Sequence, residues 1–541
     1  MAEQIDVRAE LKAATDTVLA SKSRKKLVVA GPGAGKTYLF RELLKAADGS
    51  SEQRLVLTFI NTLKDDLERN LGDASRVFTL HGYCQYILRR HENLRKGLSA
   101  QFRCYPGLRY LIPQDWVFLH DSDTPHFVDL MRGLNCTGEQ TSFYLDRTNY
   151  YDAVDFDDSV YRAYRQLAAD NTHVPAYTLV VVDEFQDFNK MEASVIDLLA
   201  QRSPIVIAGD DDQALYSQLR SASWDHIRAH HANGEYEIFE LPFCMRCPEV
   251  IVGAVNDIIA RAHAGQKLNG RIPKPYRYYE PIKAEDSAKY PHIELVETTV
   301  QRANANYFGR YIEECIRSIS AAEVAQAAEN NEPVALIICS NPYRRQIEER
   351  LTKVGLIAAK QQIQRSEREK GLQILGEDGK SNLGWRIILA CGREYVARSL
   401  IRKASEEGRP LIELFTPKER DAILAEAEAW AQKNDAIDFA DEAHEATESV
   451  AVTSYEGSKG RSAQYVFLAG VHSGELPSNA ANIKDIEICR FLVGLTRTKK
   501  KCSILVAGNA MGQYKSRSEF IEWIDAKRVS EKKIDAGYWK K

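Results

Sequence analysis

No stretch of this chain approaches the run of about 18 apolar residues that crosses a bilayer. Its start, Met-Ala-Glu-Gln-Ile-Asp, is neither basic nor apolar, so no membrane span and no export signal are expected. Cysteine is sparse, with 10 in 541 residues and no dense clustering. That excludes the disulfide framework of a small secreted protein and points to a reducing compartment, the cytoplasm. The one close pair, Cys244 and Cys247, has no second ligand pair at zinc spacing, and two buried thiols are expected there. Excess charge of either sign is missing too. At −4, with a pI near 6.4, there is no bulk attraction to a polyanion. A nucleic-acid binder of this composition must gather its Lys and Arg in a cleft. Repeats and low-complexity segments are also absent.

What remains is an ordinary globular composition, 44% hydrophobic and 27% charged, in a chain long enough for three or four domains. A helix over 9–19 and the basic patch Lys22, Arg24, Lys25 and Lys26 precede the apolar run Leu27-Val28-Val29-Ala30. A glycine-rich turn and a helical pattern over 38–46 follow it. Strand, glycine loop and helix open a nucleotide-binding α/β unit. Short buried strands are expected at 55–57, 76–78, 177–182 and 205–208, and again at 334–338, 450–452, 465–468 and 503–506. The simplest account is two parallel-sheet cores, residues 1–90 with 176–240 and residues 241–355 with 450–513. Each is interrupted by a mainly helical insert, at 91–175 and 356–449, and residues 514–541 form a short basic tail.

The strongest motif is Ala30-Gly31-Pro32-Gly33-Ala34-Gly35-Lys36-Thr37. Its glycines let backbone N–H groups wrap phosphates, Lys36 reaches the β- and γ-phosphates, and the Thr37 hydroxyl ligates Mg²⁺. The second is Val180-Val181-Val182-Asp183-Glu184-Phe185-Gln186-Asp187, a buried strand delivering two carboxylates to its C-terminal edge. Asp183 is placed to hold Mg²⁺, and Glu184 to orient and deprotonate water. A Glu beside the metal Asp suits attack by water, which makes ATP hydrolysis the leading chemistry ahead of a kinase or GTPase. The third, Gly209-Asp210-Asp211-Asp212-Gln213, is read either as part of the same site or as a solvated acidic turn.

These two acidic motifs in order resemble the UvrD/Rep/PcrA branch of superfamily 1 helicases. Further matches keep the family's order: Leu57-Thr58-Phe59-Ile60-Asn61, Thr79-Leu80-His81-Gly82-Tyr83-Cys84, Leu241-Pro242-Phe243-Cys244-Met245-Arg246, Ser458-Lys459-Gly460 and Val493-Gly494-Leu495-Thr496-Arg497. The resemblance implies an α/β fold of two RecA-like cores that close on ATP and Mg²⁺. Gln213 would sense the γ-phosphate, and Arg246 and Arg497 would act as arginine fingers. Thr58, Phe59, Asn61, His81, Tyr216, Arg220 and Lys459 would touch nucleic acid.

Several positions depart from the family pattern. Thr15 stands near the family's adenine-reading Gln, and Met245 replaces a base-stacking Tyr. Ser217-Gln218-Leu219-Arg220-Ser221-Ala222 replaces a stretch bearing a stacking aromatic. Arg461-Ser462-Ala463 replaces Leu-Glu-Phe, so the carboxylate that would hold the ribose is missing. Near the second insert, Arg344, Arg345, Lys360, Arg365, Arg368 and Lys370 either line a nucleic-acid path or form a solvated helical face.

The resemblance implies an ATP-dependent DNA translocase or helicase running 3′ to 5′ on single-stranded or 3′-tailed DNA. Its setting would be repair or an anti-phage system such as Gabija, with a separate nuclease as partner. The rival reading is an ATP-binding nucleic-acid sensor that activates such a nuclease without processive unwinding. A metabolic P-loop kinase leaves the second core unexplained.

Overall fold

The computed structural model describes residues 6–216, 220–298, 307–358, 365–439, 448–510, 512–535 and 537–540. The departures at 217–219 and Lys360 lie outside them.

Six parallel strands form the first sheet: β1 (Lys25–Ala30), β2 (Arg54–Thr58), β3 (Arg76–Thr79), β4 (Leu179–Val182), β5 (Ile205–Gly209) and β6 (Glu237–Leu241), in the order β3-β2-β4-β5-β1-β6. The central strands are continuously apolar because helices cover both faces. Alternate residues feed opposite layers. Val28, Val56, Val181 and Val206 pack under the helix Lys36–Ala46 through Leu39, Phe40, Leu43 and Leu44. Leu27, Leu55, Val182 and Ile207 join the core on the other side.

The second sheet is also parallel and six-stranded: β7 (Ile293–Thr298), β8 (Ala335–Cys339), β9 (Val450–Thr453), β10 (Ala463–Ala469), β11 (Thr498–Ala507) and β12 (Val529–Ile534). Its order, β9-β8-β10-β11-β7-β12, repeats that of the first sheet. The α/β class with two parallel sheets therefore stands as expected from the sequence. Three strands were not anticipated, namely β6, β7 and β12. β12 lies within the segment expected to be a tail and pairs along its whole length with β7. Its sequence, Val-Ser-Glu-Lys-Lys-Ile, is that of a charged edge strand, which carries little apolar signal.

Both inserts are mainly helical. The first carries Leu108–His120, Phe127–Arg132, Gly138–Tyr151 and Phe156–Ala169, and the second Glu367–Glu377, Asn382–Ala390, Glu394–Glu407 and Pro417–Ala431. They share one apolar core, in which Leu383, Trp385 and Ile387 join Leu111, Trp116 and Phe118. Across this contact the buried Arg386 donates from Nε to Asp115 Oδ1 at 2.8 Å, and Arg147 donates from Nε to Oδ2 at 2.8 Å. Burial opposes the Asp115 charge, but Arg147 and Arg386 hold its carboxyl below the usual range.

The cations at the entry to the second insert are paired locally. Arg344 binds Glu348, Arg345 binds Glu349, Lys370 binds Glu367 and Arg368 binds Glu426. Such pairing is what a solvated helical face, the second of the two readings, calls for.

Asp115→Ala strands two buried guanidinium groups without an anion. It is expected to lower stability by about 3–5 kcal/mol, measured as an earlier urea transition. A loss below about 1 kcal/mol would mean that the pair is replaceable by water.

Candidate active site

β1 ends at the buried Ala30, and the chain turns through Gly31 to Gly35 before the helix beginning at Lys36. Gly33 and Gly35 have φ of +73° and +86°, the left-handed region that a Cβ disfavours. Ala34 is buried beneath the turn. No side chain caps the helix start, so its first N–H groups face the crevice as a ready anion site.

The loop that leaves β6, the strand paired with β1, sits on this turn. Met245 donates its N–H to Gly33 O at 2.9 Å. A Cβ on Gly33 would lie 2.5 Å from Arg246 Cβ, so glycine is required for the approach itself. Tyr276 lies against Gly31 and donates its hydroxyl to Pro32 O at 3.2 Å.

β4 ends by delivering Asp183 and Glu184. Glu184 holds φ +54°, a conformation rare for a side chain of this kind and concentrated at functional sites. Lys36 Nζ donates to its Oε1 at 2.5 Å, Gln186 Nε2 donates to its Oε2 at 2.6 Å, and Lys459 Nζ stands 3.2 Å away. Asp183 is 3.6 Å from Lys36. After β5, Gln213 donates from Nε2 to Asp210 at 2.8 Å and accepts from Arg497 Nη2 at 3.1 Å. Arg246 donates to Thr496 O at 3.3 Å. Lys36, Thr37, Asp183, Glu184, Gln213, Arg246 and Arg497 all line one cleft of about 570 Å³.

The charges are tightly coupled. Burial opposes the Lys36 ammonium, yet Glu184 and Asp183 hold its pKa above the ordinary lysine value. Burial likewise opposes the Glu184 charge, but Lys36 and Lys459 keep its carboxyl well below the usual range. Asp183 is pushed up to about 6 by burial and by the Glu184 carboxylate. Burial, with Arg246 nearby, brings Arg497 down to about 10, so it stays cationic near neutrality.

Of the residues expected to touch nucleic acid, four are buried. Thr58, Phe59, His81 and Lys459 are at most 7% exposed. Lys459 belongs to the cleft, bonding to Asp187 and to Gln213 O. Its short side chain environment is one of carboxylates, which burial of an ammonium requires. Asn61, Tyr216 and Arg220 are partly exposed. Arg220 covers the Phe59 ring, donates to His81 at 2.8 Å and stands 3.5 Å from the buried Glu192. Tyr216 packs on Phe59, with ring centroids 4.8 Å apart.

A family model described as an AAA domain matches residues 13–218. The ATP-dependent DNA helicase PcrA of Staphylococcus aureus (strain Mu50) is 24% identical over 317 residues, a match covering 50% of this chain and 43% of that protein. PcrA of Staphylococcus epidermidis (strain ATCC 12228) is 24% identical over 327 residues, covering 52% and 44%. About half of the chain is thus similar to PcrA helicases. The chain spans less than half the length of the curated relatives it matches.

Three residues that line the cleft, Glu332, Lys283 and Lys499, escaped the sequence reading. Ser462, which stands where the family's Leu-Glu-Phe carries Glu, donates to Glu332 at 3.1 Å, and Glu332 lines the cleft. A carboxylate from a residue 130 positions away thus stands beside Ser462, with no local signal for it. Thr15 donates to Leu11 O within its own helix and does not line the cleft. Met245 does. Cys244 and Cys247 are free, buried thiols, the Cys247 N–H donating to Cys244 Sγ at 3.4 Å. Among the described residues no helix is long and apolar enough to cross a membrane.

Because its folded-state pKa is raised, Asp183 costs stability in full above about pH 6, and the cost declines as pH falls from there to the unfolded carboxylate value of 3.8. Asp183→Asn should therefore stabilise the chain at pH 8 by on the order of 1 kcal/mol, and the gain should shrink below about pH 6 and vanish below about pH 4. Thermal melts at the two ends of that range check this. An equal effect at both would remove the charge as its cause.

Proposed function

We propose that the chain is an ATP hydrolase stimulated by nucleic acid, which moves along single-stranded DNA and unwinds 3′-tailed duplex in the 3′ to 5′ direction. The observation that carries this is the meeting in one cleft of Lys36, Asp183 and Glu184 from the first sheet, Arg246 from the connection that leaves β6, and Arg497 from the second sheet. The donor set fits a polyphosphate: glycine-lined N–H groups, one lysine and two guanidinium groups. Thr37 and Asp183 are the oxygen ligands for Mg²⁺, which when bound neutralises phosphate charge.

In this reading Glu184 holds the attacking water and takes its proton once Lys36 exchanges the carboxylate for phosphate oxygens. Gln213 senses the γ-phosphate. Arg246 and Arg497 stabilise charge on the transferring group, a contribution of about 10³–10⁵ in related phosphoryl transfer. Glu332 takes the place of the missing ribose carboxylate. Closure on nucleotide and release after hydrolysis move one core, residues 1–90 with 176–240, against the other, residues 241–355 with 450–513, and so step the chain along the strand. Asn61, Tyr216 and Arg220 present the strand contacts, over a buried layer of Thr58, Phe59 and His81. Repair or defence against foreign DNA, in the cytoplasm and beside a separate nuclease, is the setting proposed.

A second reading, a sensor that activates such a nuclease without unwinding, is favoured by the few expected strand contacts that reach the surface. ATP hydrolysis with and without single-stranded DNA, together with displacement of a 3′-tailed duplex, separates the two. Stimulation with displacement supports the motor; stimulation alone supports the sensor. Glu184→Gln should retain ATP binding and lose at least about 10²-fold in turnover; unchanged turnover rejects the assigned base. Arg220→Ala should raise the DNA concentration giving half-maximal stimulation by about tenfold, the loss of one stacked or charged contact. An unchanged value would place the strand elsewhere.

A further inference from the structure

Asp210, Asp211 and Asp212 bring three buried carboxylates within 4.8 Å of one another, at the end of β5 and directly before Gln213. Three such charges without compensation would not stay ionised in a dry interior. The compensation comes from a strap, residues 271–276, which follows the helix Glu249–Ala264. The Lys274 side chain is 3% exposed, and its Nζ lies 2.8 Å from a carboxylate oxygen of each of the three. Arg271 reaches Asp212 at 2.8 Å, and Arg228 reaches Asp211 at 2.9 Å. The Ile272 N–H also donates to Asp211, at 2.9 Å. An ammonium at the centre of the trio already supplies the positive charge and fills the space that a divalent cation would use. The cluster is therefore an anchor and not a metal site.

What the anchor holds is Gln213. Asp210 divides its carboxylate, one oxygen accepting from Lys274 and the other from Gln213 Nε2 at 2.8 Å. The free end of the amide, Oε1, accepts from Arg497. With Nε2 fixed by Asp210, the amide cannot flip or swing out of the cleft. The same strap ends in Tyr276, which lies on Gly31 and bonds to Pro32 O, so one short segment touches both the phosphate loop and the Gln213 anchor. It leads back through the helix Glu249–Ala264 to the loop that carries Arg246.

We propose that Lys274 is a positioning residue for Gln213. By fixing Asp210 it sets the amide against the reacting phosphate, and it ties that amide to the segment bearing Arg246. This assignment rests on the reading of the cleft as an ATP-hydrolysing site.

The test is steady-state ATP hydrolysis by the full chain with saturating single-stranded DNA, for Lys274→Met, Gln213→Ala and the double variant. Lys274→Met should lower kcat about tenfold or more while KM for ATP moves less than about threefold. In the Gln213→Ala background the same substitution should lower kcat no further, because the group it positions is gone. Multiplicative losses in the double variant, or an unchanged kcat for Lys274→Met, overturn the assignment. If Lys274→Met does not fold, Asp210→Asn keeps the shape and removes the shared charge. It should show the same split between kcat and KM, and an unaltered kcat there also overturns the assignment. A wild-type chain that hydrolyses no ATP under any condition removes the parent reading and this one together. Hydrolysis by the wild type with either overturning result removes this one alone.

Discussion

The contact on which the site depends is the seating of residues 244–247 on the phosphate-loop turn. One backbone hydrogen bond, from Met245 to Gly33, and the close approach of Arg246 Cβ to the same glycine hold the guanidinium group that follows β6 in the cleft lined by Lys36, where Arg497 of the second sheet joins it. Both need Gly33 in a left-handed conformation with no Cβ. Arg497, bonded to Gln213, fixes the other side of the crevice. Without these contacts each sheet retains its strands but presents an incomplete set of charges.

Inside the crevice like and unlike charges alternate. Lys36 and Lys459 flank Glu184, while Arg246 and Arg497 crowd each other near Gln213. Such an arrangement is poorly suited to stability, since burial disfavours every member of it. It is suited to an anionic ligand, because phosphate oxygens would relieve the repulsion between the guanidinium groups and take Lys36 from its carboxylate partner. The strained φ of Glu184 and the raised pKa of Asp183 point the same way: local cost gathers where chemistry is expected.

The inserts impose a different constraint. They share a core and a buried ion pair between Asp115 and Arg386, although each is inserted into a different sheet. The two cores are therefore joined both across the crevice and through the packed inserts. Any relative motion of the cores has to be absorbed by the connections into those inserts.

Local sequence carried a great deal. The strand, glycine turn and helix at 25–46 were legible because apolar run, φ-permissive residues and helical spacing all occur within about twenty residues. The same holds for Asp183-Glu184 at the end of an apolar strand and for the ordered motifs through Arg497. The edge strands β6 and β12, and β7 beside β12, were not legible, because interspersed charge hides them. The burial of Phe59, His81 and Lys459 was likewise hidden, since residue type does not say which way a side chain faces. Glu332 beside Ser462, Lys274 among three aspartates and Arg386 on Asp115 join residues about 60 to 270 positions apart. No periodicity links such pairs, and only the packing of sheets, inserts and the 271–276 strap brings them together. Residue chemistry and short-range spacing thus determined which groups this protein possesses, while long-range packing alone decided which charges meet.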